Sequence, residues 1–454
     1  MARMRLIVSA HVADALSVDD EDTAMALRKV TGGTGAAIRV AESHMVPDPR
    51  PGEAFEPGDT LTGRGVLILT TDNCTPGGIQ RYAWTWGEAA LDLGRAARIA
   101  SLWKRGAVNG VGVSRLRAAW FTLKVLATAL IRRPQAVIAA HLALSPVAMI
   151  VKRLLGTPYA VALHGDDAWA EPVGMTRQAV CSADLLIPVS HFTREVVTEM
   201  LELSRDRFYV TGSILSPKLQ LKAMDIQRES AGAEAVTADS GKDVSGNQTL
   251  LTVSRLDLNA PYKRHDLVLR AVASLAPEYP DLKYHIIGDG PYRTDLETLA
   301  AELEIEDRVS FLGRIPEELL ADENAAAYAF VMPSRISLDP PEGEGFGLVY
   351  LEAGIYGVPS VAANGGGSAE TVLDGVTGIL VEPDSLDSLV AGIRKLLDDE
   401  ALRGQLGKTA PLRAIEFSYP VFRRKCAAVL AALTEGENPL QVEAEHDPHA
   451  IAPG

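Results

Sequence analysis

Two series of short, mainly apolar runs, each run flanked by turn residues and followed by a stretch of helical spacing, constrain this 454-residue chain more than any other feature. A strand that is apolar throughout, instead of at every second position, is buried on both faces, and a parallel sheet with helices on either side buries it so. The first series opens at Gly65-VLILTT-Asp72 and predicts further strands at 136–140, 159–163, 185–189 and 208–212. The second opens at Thr249-LLTVSRL, continues through Tyr284-HIIGDG and Val309-SFLGR, and runs to about residue 397. The expected fold class is therefore α/β: two Rossmann-like, doubly wound parallel-sheet domains at 63–222 and 249–410. Residues 223–248 are small and polar, a flexible linker or insertion. Residues 1–62 are set apart as an N-terminal extension of no assigned role, and 411–434 as a C-terminal helix able to pack back on the N-terminal domain. The end, 435–454, with five acids and no Lys or Arg, reads as a disordered acidic tail.

Composition excludes several classes. An apolar fraction of 47% is that of a globular protein, neither disordered nor fibrous. A net charge of −15, from 44 Lys and Arg against 59 Asp and Glu, opposes a surface that neutralises phosphates throughout, and no nucleic-acid partner is expected. Cys74, Cys181 and Cys426 lie far apart and are odd in number, poor material for a disulfide framework or a zinc site, so a cytoplasmic location is expected. The start turns acidic from Asp14 without a leader-like apolar core, and no apolar run reaches the roughly 18 residues of a membrane span.

The chemistry is concentrated in Pro341-EGEGFGLVYLEAGIYGVPSVAANGGGSAETVLDGVTGILVEP. Glu344 falls in a glycine-rich turn, and Glu352 falls inside the helix that Leu348, Val349 and Leu351 predict. Gly345 and Gly347 let the backbone approach a ligand, and a helix start offers unpaired N–H groups to an anion, so the segment reads as a phosphate and hydroxyl site. A tight turn before an ordinary helix accounts for the glycines but not for both carboxylates. Upstream, Ser254-RLDLNAPYK puts Arg255 just past a strand and Lys263 at the end of the next loop. Two cations at the carboxyl edge of a parallel sheet are placed to neutralise a diphosphate, although without the neighbouring motifs they read first as solvated loop charges.

Together these segments resemble the donor domain of the retaining GT-B glycosyltransferases, in particular glycosyltransferase family 4 (glycosyl transferases group 1). The ordered matches are SRLDLNAPYKRHDLVLRAV, IIGDGPYRTDLETLA, VSFLGRIP, VMPSR, EGFGLVYLEAG and GVPSVAANGGGSAETVLDGVTGILVEP. The resemblance implies two domains facing a central cleft. It implies that Glu344 contacts the donor sugar and Glu352 the nucleotide ribose, that Arg255 and Lys263 hold the diphosphate, and that Gly345, Phe346, Gly347 and Leu348 complete the donor turn. The N-terminal half resembles the acceptor domain through Gly77-Gly78-IQR after the first strand, Val161-ALHGDD with His164 at a strand end, and Asp184-LLIPVSHFTREVV with Ser190 at its turn. By this resemblance Gly77 and Gly78 approach the diphosphate, and His164 lies near the transferred sugar. Two departures bear on the cleft: Thr211-GSILSPKL stands where relatives commonly have Pro-Asn-Gly, and the loop Ser334-RISLDPPEGE is long.

The implied activity is retaining transfer of a hexose-type sugar from a nucleotide diphosphate sugar to a saccharide or lipid-linked acceptor, in polysaccharide, glycolipid or glycoconjugate synthesis. Catalysis would rest on His164, Glu344, Arg255 and Lys263. No metal or other cofactor is expected, because Asp166, Asp167 and Asp289 lack the spacing of a ligand cluster and the paired cations supply the charge. A sugar phosphorylase and a non-catalytic sugar-nucleotide binder are the alternatives. A further feature lies at 81–133, where ten Lys and Arg face two acids, Glu88 and Asp92, and where Trp84, Trp86, Trp103 and Trp120 occur. Peripheral contact with the inner face of the membrane, and a tryptophan core beneath a solvated basic face, fit this pattern equally.

Overall fold

The computed structural model describes residues 65–72, 78–103, 115–216, 248–258 and 260–440, with positions 219, 222 and 226. The expectations for 1–62, Gly77, Cys74, most of 223–248 and the tail beyond 440 lie outside these residues.

In the first domain the parallel strands β1 (Val66–Asp72), β2 (Ala97–Trp103), β3 (Ala136–Ala139), β4 (Tyr159–Leu163) and β5 (Leu185–Pro188) lie in the order β2-β1-β3-β4-β5. Between and after them run α1 (Gly78–Asp92), α2 (Arg115–Arg132), α3 (Ser145–Leu155), α4 (Asp166–Trp169), α5 (Gly174–Cys181) and α6 (His191–Leu201). β3, β4 and β5 are buried at every position, as their unbroken apolar runs require. β2 escapes that pattern because in ARIASLW the apolar run is interrupted by Arg98 and Ser101, one on each face, as suits a strand at the edge of the sheet. The strand predicted at 208–212 is not formed. Phe208 makes one bridge to Leu186, and the N–H groups of Tyr209 and Thr211 donate to Leu186 and Pro188, but Gly212 at φ +73 turns the chain away.

The second domain holds β6 (Gln248–Val253), β7 (Leu282–Ile287), β8 (Val309–Gly313), β9 (Ala329–Met332), a short antiparallel hairpin of β10 (Ser337–Leu338) and β11 (Pro341–Glu342), β12 (Ser360–Ala363) and β13 (Gly378–Val381). Its main sheet is parallel in the order β13-β12-β9-β6-β7-β8. The helices are α7 (His265–Leu275), α8 (Arg293–Glu302), α9 (Glu317–Ala326), α10 (Leu348–Gly354), α11 (Ser368–Thr371), α12 (Leu386–Asp398) and α13 (Glu400–Ile415). The twofold period of the strands divides the apolar residues between two cores: Leu250, Ala329, Val331 and Val361 enter one, and Leu251, Phe330, Met332 and Ala362 the other. Each buried aliphatic side chain of this kind contributes about 1.5–3 kcal/mol. In both sheets strand order reverses once, between β1 and β3 and between β6 and β9, which opens a crevice at the carboxyl ends.

The last helix, α14 (Tyr419–Glu435), returns to the first domain and packs on α1. Phe422 meets Tyr82 and Trp86 edge to face at 5.3 and 6.0 Å, and Tyr419 donates its hydroxyl to Asp92. Trp84 and Trp86 are thus core residues, whereas Trp120 stands 69% exposed on α2. Beside this junction burial, with the Asp92 charge second, pushes the Glu88 carboxyl up to about 8. A carboxyl whose folded pKa is raised takes up protons on folding, so its contribution is most favourable below about 4.5 and is lost as pH rises toward 8. Glu88→Gln is accordingly expected to exceed the wild type in stability by about 2–4 kcal/mol at pH 8 and by much less at pH 5, measured by urea unfolding at both values.

Candidate active site between the two domains

The turn after β4 and the turn before α10 meet backbone to backbone. A Cβ placed on Gly165 would stand 2.6 Å from Gly345 Cα, and one on Gly345 would stand 2.1 Å from the His164 carbonyl oxygen. Gly165 also holds φ +137, a conformation glycine adopts without penalty. The contact joins the carboxyl edges of the two sheets.

Around it the expected residues gather. Lys263, in the 3-10 turn Pro261–Lys263, brings Nζ to 3.2 Å from Glu344 Oε2, and both side chains are largely buried. Burial pulls the ammonium pKa down, but the Glu344 carboxylate outweighs it, so Lys263 stands above the ordinary lysine value and is fully charged near neutrality. Arg255 lies at the end of β6 but is not drawn into that pair. Its side chain is 73% exposed and its guanidinium meets Asp257 at 3.0 Å. Phe346 is buried edge-on against Phe417 at 5.1 Å. Gly347, at φ +94, opens α10 with no side-chain cap, and Gly78 at the start of α1 faces Leu348 across the cleft. The N–H of Gly367 donates to the Glu344 carbonyl at 2.9 Å, so the triple-glycine segment backs the donor turn.

Glu352 projects from α10 toward α1, where its Oε1 lies 3.6 Å from Arg81 Nη1. The pair lines a cavity of about 460 Å³ whose walls include Val253, Ile315, Leu320, Val349, Tyr356 and Ser216. Glu317, Glu318 and Asn324 line it as well, so apolar and polar groups share the walls, a mixture that suits a flat ring carrying a polar sugar.

His164 is oriented from three sides. Its N–H donates to Asp167 Oδ1 at 3.0 Å, its Nε2 lies 2.8 Å from the Ala140 carbonyl, and its ring stands edge-on to Tyr82 at 5.0 Å. A carbonyl only accepts, so Nε2 carries the proton and Nδ1 keeps a lone pair. Burial, partly offset by Asp167, holds the imidazole below its usual pKa and so neutral.

Several residues on this cleft have no local signature. The carboxylate of Glu370, on α11, accepts the N–H groups of His191 and Phe192 at 2.8 and 2.7 Å, capping the first-domain helix α6 alongside Ser190, whose hydroxyl accepts from Thr193 N–H. Arg81, Gly165 and Trp169 likewise acquire their place from partners far away in sequence. Thr211, in the departure noted above, hydrogen-bonds Tyr82 at 2.8 Å, and the long loop 334–343 folds as the β10–β11 hairpin, with Ile336 packed beside Gly365 and Gly366. Among the described residues no group of three His, Cys, Asp or Glu could hold a metal ion.

Residues 238–413 match the family model described as Glycosyl transferases group 1. A GDP-mannose-dependent alpha-(1-6)-phosphatidylinositol monomannoside mannosyltransferase of Mycolicibacterium smegmatis is 34% identical over 218 residues, 47% of this chain and 56% of that protein. A D-inositol 3-phosphate glycosyltransferase of Streptomyces avermitilis is 36% identical over 181 residues, 38% of each chain. The chain spans 38–56% of the length of the phosphatidylinositol monomannoside mannosyltransferases it matches. Among solved structures, Anabaena Alr3699/HepE in complex with UDP-glucose superposes with a TM-score of 0.62 at 20% identity, covering 81% of this chain and 99% of the other. The fold is that of the GT-B glycosyltransferases, and the C-terminal domain is the part of the chain that matches the glycosyl transferases group 1 model.

Gly345→Ala is expected to separate the two backbones and raise the radius of gyration in small-angle scattering. Gly404→Ala, where a Cβ meets nothing within 4 Å, is expected to leave it unchanged.

Proposed function

We propose that the chain is a retaining glycosyltransferase that moves a hexose-type sugar from a nucleotide diphosphate sugar to an acceptor hydroxyl. The observation that carries this reading is the convergence of the Lys263–Glu344 pair and the His164–Gly165 turn beside the cavity that Arg81 and Glu352 line. A nucleoside in that cavity, with its ribose toward Glu352, leaves the diphosphate to Lys263 and Arg255 and the sugar to Glu344 and His164. The relatives' names make GDP-mannose the first donor to try and a lipid-linked or saccharide hydroxyl the acceptor class.

The chemistry asked of these residues is electrostatic. As the bond from the anomeric carbon to the phosphate oxygen breaks, charge grows on the leaving diphosphate, and a buried, preorganised ammonium stabilises it without reorganisation. The acceptor oxygen bonds to the anomeric carbon on the face the phosphate leaves, and the departing phosphate oxygen takes the acceptor proton. No enzyme nucleophile is then needed. His164, with Nε2–H given to Ala140, offers Nδ1 as an acceptor that positions a sugar hydroxyl. With two cations supplying the neutralisation, turnover is proposed to be independent of metal.

A screen of UDP-, GDP-, ADP- and dTDP-sugars by thermal shift and slow hydrolysis tests the reading. One nucleotide class is expected to stabilise the wild type, and Arg255→Ala/Lys263→Ala to lose that response. Lys263→Ala is expected to lower transfer by about 10²–10³-fold. His164→Ala at the wild-type rate would remove its role, and activity lost to EDTA and restored by Mg²⁺ would overturn metal independence.

A further inference from the structure

The helix α2 has two apolar faces. Phe121, Val125 and Ala129 enter the first-domain core. On the opposite side Leu116, Trp120, Leu123, Leu130 and Ile131 are each more than half exposed, with Leu116 at 84% and Ile131 at 77%. Their spacing follows the helical repeat, so they form one stripe along the helix. Arg117 and Lys124 are exposed on its flank, and Arg132 and Arg133 close its end. The charge around the helix is equally one-sided: from residue 93 to 165 there are eleven Lys and Arg and no Asp or Glu, in a chain of net charge −15. No described helix is long and apolar enough to cross a membrane.

We propose that this outer face of α2 is an interfacial surface that seats the first domain on an anionic lipid bilayer, the apolar stripe entering the headgroup boundary while the flanking cations meet lipid phosphates. The amphipathic geometry, an exposed tryptophan and a purely cationic polar rim are what such a surface selects. A second copy of the chain fits less well, since a contact of this face with itself would bring together two segments that carry only positive charge. The structure divides the basic, tryptophan-rich region in two: Trp84 and Trp86 of α1 belong to the core, and α2 carries the surface. The inference does not depend on the chemistry proposed above, because lipid binding is read without donor or acceptor.

Co-sedimentation of the full chain with vesicles of 30% phosphatidylglycerol in phosphatidylcholine, against phosphatidylcholine alone, tests it. Binding to the anionic vesicles is expected to be at least tenfold stronger and to weaken with salt. Trp120→Ser/Leu123→Ser and Arg117→Glu/Lys124→Glu are each expected to lower it at least tenfold, with thermal midpoints that confirm folding. Absence of binding at low salt, indifference to phosphatidylglycerol, or binding unchanged in both variants would overturn the proposal. So would a concentration-dependent dimer in scattering that Trp120→Ser dissolves while vesicles are ignored.

Discussion

The approach of Gly165 to Gly345 is the contact on which the site depends. Two parallel sheets can each present loops at their carboxyl edges, but loops bearing side chains would hold those edges apart by the thickness of a Cβ on either side. With hydrogen alone at both positions, the His164 carbonyl lies against the donor turn that carries Glu344. The glycines after Glu344 therefore serve interdomain contact as well as ligand approach, and Gly367 serves it indirectly by leaving room for Phe346 behind the turn.

Charge completes what the close approach begins. Three carboxylates of the cleft have partners: Glu344 the Lys263 ammonium, Glu352 the Arg81 guanidinium of the other domain, and Glu370 the amide groups that open α6. Two of the three connect the domains, so the cleft is held by polar contacts that a charged ligand can exchange. Such contacts cost little to rearrange when water or phosphate replaces the partner, unlike an apolar interface of equal area. The α14 helix supplies the apolar link instead, away from the chemistry, through Phe422 against Tyr82 and Trp86. Tyr82 joins the two, since its ring also meets His164 and its hydroxyl meets Thr211.

Sequence alone determined the architecture, because burial on both faces forces unbroken apolar runs and the runs recur in two series. It also pointed to Glu344 in a glycine turn, Glu352 in the helix that follows and Lys263 in a loop past a strand, with His164 singled out by resemblance, and the structure sets Lys263 against Glu344 and Glu352 against Arg81. Sequence missed β2, an edge strand whose apolar run Arg98 and Ser101 interrupt, and read a strand at 208–212 where Gly212 turns the chain. Tertiary structure decided what depends on partners far apart in sequence: Arg81 with Glu352, Glu370 with the start of α6, the exposure of Arg255, and which tryptophans lie inside. No local pattern encodes a contact across 179 residues, because the energy of a cap or an ion pair resides in geometry that only the packed domains create.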